Sequence, residues 1–228
     1  MRLGVMDVDL RSAPERVACS GYEEAFVLVR HGRRPIGTVT LPVHDNRIST
    51  ADLRERLERS PDHALADALL EDFLDDPVSD DDLPSATVAV CTHERVDDLE
   101  KCLTALQQLP DDGHDVVVVD SGPKTDGTRR VTNRFPGVRY VREERPGLDR
   151  ARNRALREAT GDIVAFTDDD ARVDPGWLRA IRASFRDRLV LAVTGLTLPV
   201  ELETQAQVEY ERFCTFSRGF HRKVFEAT

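Results

Sequence analysis

Four short, largely apolar runs between residues 86 and 167 constrain this chain more than any other feature. Ala86-Thr87-Val88-Ala89-Val90-Cys91 leads into Thr92-His93-Glu94-Arg95, and Asp115-Val116-Val117-Val118-Val119-Asp120 into Ser121-Gly122-Pro123. Val138-Arg139-Tyr140-Val141 is shorter, and Asp162 to Thr167 runs directly into Asp168-Asp169-Asp170. A strand that is apolar at nearly every position must be covered on both faces, which is the situation of a parallel sheet between helices. The intervening segments supply those helices. Asp97 to Leu109 puts Leu99, Cys102, Leu103 and Leu106 on one side of a helix, TDGTRRVTNRF predicts a short one, and Gly147 to Thr160 a third, stopped at Gly161. Strand and helix alternating in this way predict an α/β domain with a mostly parallel sheet.

The region before these runs has a different character. Ala25 to Arg30 and Ile36 to Leu41 read as strands joined by the turn His31-Gly32-Arg33-Arg34-Pro35. Ser49-Thr50-Ala51-Asp52 opens a helix of pattern LRERLERSPDHALADALLEDFL, with Pro61 starting a second segment within it. The stretch EDFLDDPVSDDDLP, residues 71–84, is acidic, holds two prolines and lacks an apolar period, so it reads as an exposed linker. The expected organisation is a small α+β module over 1–70, a linker over 71–84 and the α/β domain over 85–228. The first module holds no tight cluster of chemical groups and reads as a packing or substrate-orienting element.

Composition narrows the function classes. The 228 residues are 40% hydrophobic and 32% charged, as in a folded globular protein, with a formal net charge of −10. That excess of acid argues against broad binding to nucleic acid or anionic membrane. A whole-chain count would hide a local basic patch, and ten arginines crowd between Arg129 and Arg157. Cys19, Cys91, Cys102 and Cys214 show no paired spacing and read as free thiols of a reducing compartment. MRLGVMDVDL lacks signal-peptide character and no apolar run reaches the roughly 18–20 residues of a membrane helix, so a cytoplasmic protein is expected.

In open α/β sheets ligands gather beyond the carboxyl ends of the strands. Here those ends carry Thr92-His93-Glu94-Arg95, Asp120-Ser121-Gly122 and Asp168-Asp169-Asp170. Side chains two apart at a strand end point the same way, so Asp168 and Asp170 can address one point while Asp169 faces elsewhere. Two hard carboxylates suit Mg2+ or Mn2+, particularly when a ligand's phosphates complete the coordination. Solvated loop acids, or caps for a helix beginning near Arg172, are the plainer alternative. Asp120, exposed abruptly after four valines, can accept from a base N–H or a ribose hydroxyl, or can simply cap the next turn. In ERPGLDRARNRAL, Arg152 falls near a helix start and can present its fork of donors to phosphate or a base carbonyl, while Arg150, Arg154 and Arg157 read as surface ion pairs. His93 reads as a solvent-facing loop residue.

The segments VAVCTHERVDDLEKCLTAL, DVVVVDSGPKTDGT, RPGLDRARNRALREATGDIVAFTDDD and DPGWL together resemble the family 2 glycosyltransferases, over about residues 86–200. The resemblance implies a GT-A (Rossmann-like) fold, an inverting transfer from a nucleotide-diphosphate sugar (a UDP-sugar first among the candidates) to an acceptor hydroxyl, and Mn2+ or Mg2+ on the diphosphate. It assigns Thr92, Glu94, Asp120, Arg152, Asp168 and Asp169 to the nucleotide-sugar and Asp168 and Asp170 to the metal. Charge and hydropathy lead to the expectation of no nucleic-acid partner and no membrane span.

Two departures stand out. The usual DDGS after the second strand is Asp120-Ser121-Gly122-Pro123, without the second carboxylate. No Gly-Gly-Glu-Asp-like acid appears before GFHRKVFEAT, so the general base stays unassigned; a shortened chain, or one completed by a partner chain or oligomer, is expected. That departure favours a second class, a sugar-nucleotide-binding protein without transfer. A nucleotidyltransferase would want a Gly-rich basic loop where CTHERVDD stands, and a receiver domain would want its paired acids after the first strand.

Overall fold

The computed structural model describes residues 2–59, 70 and 83–226, and all structural statements concern these. The chain divides into two units, Met1–Asp76 with Leu196–Thr228, and Pro77–Gly195. The expected linker lies almost wholly outside the described residues, as does the expected helix beyond residue 59 apart from residue 70. The expected assignment of 85–228 to a single domain differs from this division, because residues from Leu196 onward pack with the N-terminal strands.

The first unit begins with β1 (Gly4–Asp9), β2 (Arg16–Ala18), β3 (Glu24–His31), β4 (Arg34–Pro42) and β5 (Arg47–Ser49), followed by α1 (Thr50–Glu58). The β3–β4 hairpin is the one expected around His31–Pro35, and it is antiparallel with a register shift at Val29/Arg30. β1 adds to it in parallel, giving the order β1-β3-β4, while β2 and β5 form a separate antiparallel pair. Ala25, Val27 and Val29 alternate inward on β3 and meet Ile36, Leu41, Leu53 and Leu57. Ser49 caps α1, its hydroxyl accepting from the Asp52 amide.

The second unit holds β6 (Ala86–Thr92), α2 (Val96–Leu106), β7 (Asp115–Ser121), α3 (Gly127–Thr132), β8 (Val138–Glu143), α4 (Leu148–Glu158), β9 (Ile163–Asp168) and α5 (Trp177–Ser184). The four strands form one parallel sheet of order β8-β7-β6-β9. This is the expected α/β architecture, and the alternation of the valines builds it. Val88, Val90, Val116 and Val118 face Leu99, Cys102, Leu103 and Leu106 of α2. Ala89, Val117 and Val119 face Ala151 and Ala155 of α4, whose small side chains let that helix lie close to the sheet. From β6 the chain steps to β7 and β8 on one side and then returns to place β9 on the other. The reversal falls between β6 and β9, where α/β sheets open a crevice.

Gly161 does not end α4 as a left-handed cap: the helix stops at Ala159 in an extended conformation. Gly161 is instead where the chain passes closest to β6, since a Cβ there would lie 2.5 Å from the Ala86 carbonyl carbon. Arg182 of α5 is buried and donates to the Pro84 carbonyl at 2.7 Å and to Asp112, fixing the entry to β6.

The last element, α6 (Gln205–Phe213), belongs to the first unit. Thr204 and Gln207 form a reciprocal capping box at its start. Leu202 and Val208 bury with Leu3, and the Leu3 amide donates to the Leu202 carbonyl at 2.9 Å.

Candidate active site at the ends of the parallel strands

Parallel pairing brings the polar strand ends level. Thr92 pairs with Asp120 across β6 and β7, and Cys91 with Asp168 across β6 and β9. The valine run that makes β7 also carries Asp120 inside the unit, where it is 0% exposed. Its Oδ2 accepts from the Tyr140 hydroxyl at 2.9 Å. Its Oδ1 is buried and makes no hydrogen bond of regular geometry. Burial raises the Asp120 carboxyl pKa above the usual range, against the hydrogen bond from Tyr140 and the pull of the nearby Thr128 hydroxyl. The phenol of Tyr140 is itself pushed up to about 12, chiefly by burial and then by Asp120.

Glu94 sits at φ 55°, a left-handed backbone that turns the chain sharply out of β6. Its carboxylate accepts from the amides of Lys124 at 2.8 Å and Thr125 at 3.0 Å, and from the Thr125 hydroxyl at 3.1 Å. Those backbone donors hold the Glu94 pKa below its ordinary value. Glu94 therefore organises the loop after β7. His93 joins the same two strand ends, with Nδ1 2.5 Å from the Ser121 carbonyl oxygen. Gly122, at φ 58°, is required there because a Cβ would lie 2.9 Å from the Pro146 nitrogen. The Ser121 hydroxyl accepts from the Gly147 amide at 3.0 Å, tying this loop to the start of α4.

The three aspartates separate by environment. Asp168 and Asp170 are exposed and Asp169 is buried, as their spacing at a strand end predicts. They close a turn, with the Ala171 amide donating to the Asp168 carbonyl at 3.1 Å; the following helix α5 is preceded by Gly176, so none of the three caps it. Asp169 is only 5% exposed and both its oxygens are engaged: Oδ2 by the Thr92 hydroxyl at 2.7 Å, Oδ1 by Arg95 at 2.9 Å. Burial raises its pKa, and those two partners oppose the rise. Arg95 also reaches Asp170 at 3.0 Å. The carboxylate of Asp168 has no partner among the described residues, and its carbonyl accepts weakly from the Cys102 thiol at 3.4 Å. That thiol is inert at neutral pH, its pKa pushed up to about 12 by burial.

Arg152 lies exposed on α4 and makes no ion pair among the described residues. Four of the ten arginines in this stretch pair with acids; of the three expected as surface ion pairs, Arg154 forms one, and Arg150 and Arg157 form none among the described residues. Arg139 pairs with Asp115 and Glu158, Arg134 with Glu100, Arg142 with Glu144, and Arg154 with Glu158 at 2.8 Å.

Two hard, exposed carboxylates, one with no partner, fit a divalent cation that completes its shell with phosphate and water oxygens. Asp168 and Asp170 would hold it. Among the described residues no group of three or more His, Cys, Asp or Glu side chains forms a protein-only metal cage. Arg95 and Tyr140 were not assigned roles from sequence. The available signal for Arg95 was its place three residues beyond the end of β6, next to the strand that carries the aspartates. Nothing local marked Tyr140, whose role depends on β8 pairing with β7.

The family model described as glycosyl transferase family 2 matches residues 87–226. Glycosyltransferase AglE of Haloferax volcanii is 30% identical over 103 residues, 42% of this chain and 34% of that protein. N-acetylgalactosaminyltransferase 7 of Drosophila melanogaster is 34% identical over 87 residues, 35% of this chain and 15% of that protein. Among solved structures, the mannosyltransferase PcManGT of Pyrobaculum calidifontis, in complex with GDP-Man and Mn2+, is 34% identical with a TM-score of 0.44, covering 53% of this chain and 39% of that one. The chain spans about a third or less of the length of these curated relatives. No described helix is long and apolar enough to cross a membrane. With residues 87–226 matched, more than half of its length, the chain belongs to glycosyl transferase family 2.

Proposed function

We propose that this protein transfers a sugar, with inversion, from a nucleotide-diphosphate sugar to an acceptor hydroxyl. The observation that carries the reading is the row of acids at adjacent strand ends, with one buried Asp120 oxygen lacking a hydrogen bond of regular geometry and Asp168 an exposed carboxylate unpaired. The Asp120 oxygen is an acceptor in a water-poor setting, suited to a base N–H or a ribose hydroxyl. Glu94 holds the loop that would border the nucleotide, with Thr92 beside it bracing Asp169. Arg152 offers a planar fork to a phosphate. Asp168 and Asp170 would hold Mn2+ or Mg2+, which when bound supplies neutralising charge for the departing nucleoside diphosphate. The sugar, the base and the acceptor are left unassigned, as is the general base.

The test is calorimetric titration of nucleoside diphosphates and sugar nucleotides with Mn2+, Mg2+ or EDTA, on the parent and Asp170→Ala. Metal-dependent binding is expected, weakened at least about tenfold, or ~1.4 kcal/mol, in the variant. A folded parent that binds no member of the panel would remove the donor site. Release of nucleoside diphosphate on adding acceptor would separate transfer from sugar-nucleotide binding alone.

A further inference from the structure

One guanidinium already occupies part of the ground a cation would take. Arg95 stands at the start of α2, and its side chain meets three carboxylates: Asp169, Asp170 and, more loosely at 3.7 Å, Asp98. Its two closest contacts differ. Nη1 meets Asp169, whose side chain is 6% exposed and whose other oxygen is held by Thr92. Nη2 meets Asp170 in a pair whose partners are each 50% exposed. A buried, doubly held carboxylate is a firm anchor, whereas a half-exposed ion pair is weak and readily exchanged.

We infer that Arg95 is a place-holder for the divalent cation: it stays anchored on Asp169, yields Asp170 when the metal arrives, and turns its freed N–H donors to the diphosphate. The inference rests on the donor-site reading above. Two cations drawing on one Asp170 carboxylate repel each other, so the bare ion must compete with the guanidinium. A diphosphate changes the balance, because its oxygens give the released N–H groups charge-assisted bonds to replace the one lost. Metal and nucleoside diphosphate therefore bind better together than either alone, while bare metal is held off.

The experiment reads free Mn2+ by electron paramagnetic resonance during titration, with and without UDP and then GDP, on the parent, Arg95→Gln and Asp170→Asn. Arg95→Gln should bind bare Mn2+ about two- to fivefold more tightly, the worth of an exposed ion pair removed. It should also lose most of the mutual enhancement between Mn2+ and diphosphate. A structural defect would weaken both, so tighter bare-metal binding marks the place-holder. Because Arg95→Gln leaves Asp169 as a buried unpaired charge, the same comparison is made between Asp169→Asn and Asp169→Asn/Arg95→Gln, where that charge is gone. Bare Mn2+ affinity unchanged or reduced on removing Arg95, in both backgrounds, overturns the inference and leaves the donor site standing. A parent that binds neither Mn2+ nor the diphosphates overturns both.

Discussion

Asp120 is a buried carboxylate whose ionisation bears on stability and, under the proposed function, on nucleotide binding. Its pKa is raised by burial, so the folded protein holds that proton more tightly than the unfolded chain. The sign follows: the group costs no stability below its unfolded pKa, and stability is lost as pH rises through the raised folded value. Asp120→Asn keeps an acceptor for Tyr140 and removes the buried charge. The variant should melt higher than the parent near about pH 7, with the gain shrinking as pH falls toward about 4, the ordinary Asp range. It should also lose nucleotide binding. Differential scanning fluorimetry across pH, beside the calorimetric panel, checks both; a melting temperature at or below the parent's at neutral pH would mean the charge is compensated. That Asp120 stands at the carboxyl end of a strand is readable from DVVVVD, although the sequence reads it as exposed and the structure buries it. Its burial and its bond to Tyr140 are not readable there, because they arise from a neighbouring strand 20 residues later.

Among the elements, the parallel strands came out of the sequence within a residue or two at each end, because apolar runs covered on both faces leave little choice. The ends of helices followed another logic. Gly161 looks like a helix stop in the sequence, yet its role is to let the chain pass against the backbone of Ala86 and Thr87. Gly161→Ala should therefore cost about 1–3 kcal/mol, the range for overpacking against backbone that cannot yield, measured by urea unfolding. A substitution with no effect would show that β6 shifts freely, contrary to its covered position. β1, β2 and β5 went unforeseen. Two of them are short, and β1 gains its identity from a parallel partner some 20 residues away rather than from a turn of its own.

On the scale of the whole molecule, the first unit is built from both parts of the chain. Leu3 near one end and Leu202 and Val208 near the other share a buried cluster. Leu202→Ala should cost about 2–5 kcal/mol, as for other buried leucines cut to alanine, read from chemical denaturation; a cost under about 0.5 kcal/mol, the level of surface changes, would mean that the C-terminal segment contributes nothing to that cluster. The sequence by itself determined the α/β class, the strand ends that carry polar groups, the alternating direction of the three aspartates and the family, because these depend on local periodicity and on motifs in fixed order. Only the tertiary structure decided that Arg95 neutralises Asp169 and Asp170, that Glu94 is spent on the loop after β7, and that residues beyond Leu196 join the N-terminal strands. The physical reason is the same in each case: a charge pair or a buried cluster is set by which elements become neighbours, and residues such as Arg95 and Asp169, 74 apart in sequence, carry no local sign of their partner.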